Sequence, residues 1–106
     1  MAVSLDEFLD AFRTDRVSVY CDNGADRANV IQFLLDHGIP HGRSGWSRKM
    51  LANPEADRKA GYDWRTISCS SISGGIEFRK ERPLSAVSYA EISHLIDPVL
   101  DIDDLI

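Results

Sequence analysis

Cys21, Gly24 and Arg27 are spaced C-x-x-G-x-x-R within the run VYCDNGADRANVIQFLL. A β-type run precedes the cysteine and a helical pattern follows the glycine. The thiol would therefore sit where a strand turns into a helix. Backbone N–H groups at a helix N-terminus attract anions. A helix end and a nearby arginine also lower a thiol's pKa, and a thiolate can then act as a nucleophile. Asp22 and Asp26 put negative charge at the same turn. The other reading of Cys21 is a small buried strand residue, the common place of a free cysteine.

This arrangement resembles the phosphate-binding loop of cysteine-dependent phosphatases. The segment from Asp26 to Gln32, DRANVIQ, is similar to the DRTNVVQ run that follows the catalytic cysteine in Sac-type phosphoinositide phosphatases. The resemblance implies Cys21 as nucleophile and Arg27 as phosphate clamp.

A second constellation lies in the segment HGRSGWSRK, which carries Arg43, Trp46, Arg48 and Lys49, and in the pair Trp64-Arg65. Aromatic faces stack bases while basic side chains hold phosphate. These six residues are the expected ligand-binding set of a nucleotide or nucleic-acid site within 41–65. The alternative is that both tryptophans anchor a long loop onto the core. His37, His41 and His94, with the two cysteines, show no pair at metal-ligand spacing. No metal and no cofactor is expected. The end of the chain, Asp101-Ile102-Asp103-Asp104-Leu105-Ile106, alternates acidic and apolar residues. Asp101, Asp103, Asp104, Leu105 and Ile106 read either as a partner-docking peptide or as a frayed terminus.

Charge sorts along the chain in the same pattern. The 106 residues hold 12 Lys and Arg against 17 Asp and Glu, a net charge of −5. Residues 1–42 balance at −4, residues 43–82 at +4 and residues 83–106 at −5. The mild acidity thus hides a basic middle between acidic ends, and either surface could meet a partner.

The elements that position these groups follow from periodicity. Ser4 and Glu7 form a capping box for a helix from Ser4 to Arg13, with Leu5, Phe8, Leu9 and Phe12 as its apolar stripe. Residues 16–21 alternate as a strand. A helix over 25–37 ends on Gly38, which suits a left-handed stop, and Pro40 blocks its continuation. A short helix is expected over either 47–52 or 54–60. Strands follow at 64–70 and 76–79, with an edge strand near 84–87. Ser88 and Glu91 cap a last helix.

These elements predict a single α+β domain over residues 1–98, followed by an acidic-apolar tail over 99–106. The sheet should be small, three- to four-stranded, antiparallel or mixed, with helices packed on one face. No run is long enough to span a membrane. The acidic N-terminus and the two lone cysteines fit a cytoplasmic chain.

The order of VSVYCDN, IQFLLDHGIP, Trp46 and VSYAEI across residues 17–92 resembles the layout of small accessory proteins of tailed bacteriophages. That resemblance implies a role in binding and neutralising host factors, defence proteins among them. The leading expectation is therefore a small non-enzymatic binding protein, phage- or mobile-element-encoded, that inhibits or modulates a host macromolecule, normally a host protein. A homodimer is compatible with this. The alternatives are a phosphatase-like enzyme using Cys21 and Arg27, and a nucleotide or nucleic-acid binder using residues 41–65.

Overall fold

The computed structural model describes residues 4–43, 45–54 and 64–96. Among them, four helices and four strands run in the order α1 (Leu5–Arg13), β1 (Ser18–Tyr20), α2 (Gly24–Asp36), α3 (Trp46–Ala52), β2 (Thr66–Cys69), β3 (Ile76–Arg79), β4 (Ala86–Ser88) and α4 (Tyr89–Ile96). The sheet order is β3-β2-β1-β4. β2 pairs antiparallel with both β1 and β3, whereas β4 lies parallel to β1. The fold is α+β with a small mixed sheet, as the periodicities require. Residues 55–60 of the alternative short helix, and the segments 97–98 and 99–106, lie outside the described residues.

Local chemistry sets the helix ends. The Ser4 hydroxyl accepts the Glu7 backbone N–H at 3.2 Å and lies 3.0 Å from the Glu7 carboxylate. At α4 the Ser88 backbone N–H donates to the Glu91 carboxylate at 2.9 Å. Asn23 caps α2 by accepting the Asp26 N–H at 2.8 Å. At the other end of α2, Gly38 takes a φ of +87°, and Gly38 and Ile39 return hydrogen bonds to Leu35 and Leu34. Ile39 thereby folds back into the core.

One apolar cluster holds the elements together. Register aligns Val19, Ile67 and Phe78 across the sheet, with Cys69 opposite Ile76 and Val87 beside Val19. These residues meet Phe8 and Phe12 of α1, Val30, Ile31 and Leu34 of α2, Met50 of α3 and Ile92 of α4. α2 lies between α3 and α4. The reverse side of the sheet is polar. There Thr66 donates to the Glu81 carbonyl at 2.6 Å, and the Arg82 guanidinium sits 4.6 Å from the Tyr20 ring centre. The β3–β4 connection thus crosses that face and covers Thr66, which is fully buried.

A close backbone crossing brings α3 to the sheet. After Pro40 the chain runs alongside the start of β3: His41 bridges Ile76 in parallel, and the Ile76 N–H donates to the Pro40 carbonyl at 2.9 Å. The approach is so close that a Cβ on Gly42 would run into the Ile76 carbonyl oxygen. Only glycine permits that crossing without a shift. It delivers α3 to the edge strand β3.

Candidate functional site

Two places in this fold could carry function, and the structure treats them in opposite ways. The first is the corner formed by Cys21, Gly24 and Arg27. Cys21 is 0% exposed and lies just past β1, its N–H bonded to the Arg65 carbonyl at 3.0 Å. Burial pushes its thiol up to about 12. The Asp26 and Asp22 carboxylates add to that rise, against an opposing pull from Arg27 and Arg65. A thiol in this state stays protonated and is a poor nucleophile near neutral pH.

Arg27 is 1% exposed. Its Nη1 donates to the Trp64 carbonyl at 3.0 Å and its Nη2 to the Pro54 carbonyl at 2.6 Å. Arg65 repeats the pattern, with Nη1 donating to the Asp22 carbonyl at 2.7 Å. The Asp26 N–H, one of the groups a phosphate cradle would offer, is taken by Asn23. The corner works as a strut. It ties the start of α2 to the chain after α3 and to the chain entering β2, and in doing so it holds Trp64 in place.

The second place is what that strut supports. Trp46 at the start of α3 and Trp64 before β2 line one cavity of about 160 Å³, together with Met50, Glu77 and Phe78. The cavity lies where α3 meets the edge strand β3. Lys49 Nζ stands 4.9 Å from the Trp46 ring centre, and Lys80 Nζ stands 5.2 Å from that of Trp64. Each ring therefore carries a cation on its face, an arrangement favoured by the ring quadrupole. Arg48 and Lys49 are exposed on α3, and Arg43 is exposed just before it. A cavity of ~150 Å³ is enough for one six-membered aromatic ring.

Of the six residues expected here, Trp46 and Trp64 line the cavity and Lys49 flanks it. Arg43 and Arg48 add charge beside it, while Arg65 is bonded to the Asp22 carbonyl instead. Met50, Glu77, Phe78 and Lys80 fall outside the expected set. The alternation of Ile76-Glu77-Phe78-Arg79 marks a strand, but nothing in it reveals that α3 lies against that strand's edge. The docking residues Asp101, Asp103, Asp104, Leu105 and Ile106 lie outside the described residues.

Two further features are weaker as chemistry. His41 Nδ1 and Ser47 Oγ share a hydrogen bond of 2.6 Å, an apparent Ser-His pair. Ser47, however, is 1% exposed, so no substrate can reach its hydroxyl. Burial lowers the His41 pKa, and the Arg48 charge lowers it further. The neutral imidazole thus acts as a local brace at the glycine crossing. Separately, an open groove of about 690 Å³ runs between α1, α2 and α4, with Leu5, Phe33, Tyr89, Leu95 and Ile96 among its walls.

Among the described residues no three His, Cys, Asp or Glu side chains converge as metal ligands, and no helix is long and apolar enough to cross a membrane. No protein-family model, curated protein or solved structure matches the chain.

Proposed function

We propose that the chain is a small non-enzymatic binding module whose ligand is a nucleotide base with its phosphate, free or within a single strand. The observation that carries this reading is the shared cavity of Trp46 and Trp64 with a lysine ammonium over each ring. A base stacked on tryptophan gains about 1–3 kcal/mol, largely irrespective of its identity. Lys49 and Lys80 are then placed to meet the phosphate, with Arg43 and Arg48 extending the charge. The non-enzymatic part rests on the protonated Cys21 thiol and on the guanidinium of Arg27 being bonded to two carbonyls.

The test is binding of a short single-stranded oligonucleotide between about 50 and 200 mM salt. Affinity should fall with salt, and Lys49→Gln should flatten the log–log slope by about 0.7, the contribution of one phosphate contact on a single strand. Absence of binding at low salt, or a slope of zero, overturns the reading. A phosphate-ester hydrolysis assay bears on the enzymatic alternative. Turnover by the wild type that disappears in Cys21→Ser would restore it.

A second reading is favoured by the groove between α1, α2 and α4. Its apolar walls suit an amphipathic segment of a protein partner. A host protein is the partner that the resemblance to phage accessory proteins implies. Charged substitutions at Leu5 and Leu95 should then abolish partner capture and leave oligonucleotide binding intact.

A further inference from the structure

Resting on the base-binding reading above, we propose that the tryptophan cavity is a size filter for single-ring bases, so that its ligand is a pyrimidine nucleotide, free or within a single strand. The cavity measures about 160 Å³, and its walls are pinned by backbone. On the Trp46 side, the Gly45 N–H donates to the Gly42 carbonyl at 3.2 Å, and Gly42 lies against the Ile76 carbonyl at the start of β3. The crossing is close on both chains: a Cβ on Gly75 would stand 2.7 Å from the His41 carbonyl oxygen. The Ile76 N–H, donating to the Pro40 carbonyl at 2.9 Å, ties the two chains together there. On the other side, the Trp64 carbonyl accepts from Arg27 Nη1 at 3.0 Å, and Arg65 donates to the Asp22 carbonyl at 2.7 Å. Met50, 1% exposed, closes the inner end, and Phe78 of β3 supplies a third aromatic wall.

A cavity of this size takes one six-membered ring. Uracil, thymine and cytosine are single six-membered rings, whereas adenine and guanine fuse a five-membered ring to theirs. Folded interiors are close-packed, and forcing extra atoms into a walled space displaces side chains or backbone. A purine therefore either leaves its second ring outside the tryptophans or pushes α3 away from β3 against the glycine crossing. Stacking itself does not choose, because every base has a π-face. The choice falls to the walls. Lys49 and Lys80, at 4.9 and 5.2 Å from the two ring centres, serve the phosphate of either class and do not discriminate.

The experiment is a titration of tryptophan fluorescence with the 5′-monophosphates of uridine, cytidine, adenosine and guanosine. A short all-thymine strand is compared in parallel with an all-adenine strand of the same length. The two pyrimidine nucleotides should bind about tenfold more tightly than the two purine nucleotides. In Phe78→Leu, which trims one wall and keeps it apolar, the preference should shrink to within about threefold through tighter purine binding. Met50→Ala, which enlarges the inner end, should act in the same direction. A damaged fold weakens both classes alike and leaves their ratio unchanged, so the ratio is the readout. Pyrimidine preference confined to strands identifies a single strand as the source, and preference with both probes identifies the nucleotide unit itself. Purine binding as tight as pyrimidine binding in the wild type, or a preference that survives undiminished in Phe78→Leu, overturns the size filter and leaves base binding standing. No response to any nucleotide or strand overturns both.

Discussion

The corner at Cys21–Arg27 and the cavity between Trp46 and Trp64 are joined through the Arg27–Trp64 hydrogen bond, yet they stand at opposite ends of what a site requires. The corner has the residues of a reactive loop in a recognisable order, but the Cys21 N–H, the Asp26 N–H and the Arg27 guanidinium are all committed to partners within the fold. The cavity has no sequence motif, but it has space, aromatic walls and nearby cations. The difference teaches that spacing proposes chemistry, whereas burial decides whether a group remains available for it. An arginine that donates to the Trp64 and Pro54 carbonyls cannot clamp a phosphate without releasing the chain segment it holds.

The largest expected effect comes from removing that strut. Arg27→Met keeps the bulk but strands two partly buried carbonyls, and an acceptor left without its donor costs about 1–3 kcal/mol. Urea unfolding should show a loss of this size together with weakened oligonucleotide binding, since Trp64 loses its support. A loss below about 1 kcal/mol would mean that Arg27 is dispensable for folding and would reopen its reading as a clamp.

The same contrast governs what the sequence discloses. The ends of α1, α2 and α4 are readable because capping and helix stops act between residues three or four apart: Ser4 with Glu7, Ser88 with Glu91, Gly38 with Leu35. The β2–β3 hairpin is readable for the same reason. The cavity is only half readable. Tryptophans beside basic residues suggest stacking, but Trp46 and Trp64 meet through the Gly42 crossing and the Arg27 strut, both of them long-range contacts. The contribution of Glu77, Phe78 and Lys80 depends on which edge of the sheet α3 reaches, and no local pattern encodes that. The fate of Cys21 is likewise set by tertiary burial, which outweighs the helix-end effect that its spacing suggests.

The next effect tests how the cavity is built. Gly42→Ala drives a methyl group into the Ile76 carbonyl, and backbone must move against backbone. A destabilisation of about 2 kcal/mol is expected, in line with other overpacking changes. Base binding should drop in the same variant because α3 shifts from β3. Wild-type stability and binding would show that α3 reaches β3 without needing a glycine at the crossing.

Alkaline pH separates the corner from the rest of the molecule. The Cys21 thiol is held at about 12 in the fold against an ordinary 9.0. The folded chain therefore keeps its proton where the unfolded chain has lost it. Its stabilising contribution is complete below pH 9 and is lost as pH rises from 9 towards 12. Within that window the wild type should lose up to about 1.4 kcal/mol of stability per pH unit relative to Cys21→Ala. Parallel pH curves for the two proteins would mean that the thiol ionises in the folded state and is chemically available.

The smallest effect concerns charge beside the cavity. Arg48→Gln should move the His41 pKa upward, because it removes the positive charge that adds to burial in lowering it. A proton-linked shift of the His41 ring signals in NMR reads this directly. His41 contributes stability above the ordinary imidazole range and loses it as pH falls through its lowered value. Arg48→Gln should therefore shrink that acid loss and complete it at a higher pH. An unmoved His41 would place the Arg48 charge away from the crossing and from the cavity.

That the tryptophan cavity, and not the cysteine corner, is the surface that meets a ligand can be tested on the whole chain at once. The most direct measurement is an NMR titration with a short single strand, following the indole N–H signals of Trp46 and Trp64 and the backbone amides of Cys21 and Gly24. The two indole signals should move together and saturate while the corner amides stay in place. Saturable shifts centred on Cys21 and Gly24 with stationary indoles would contradict the cavity as the binding surface.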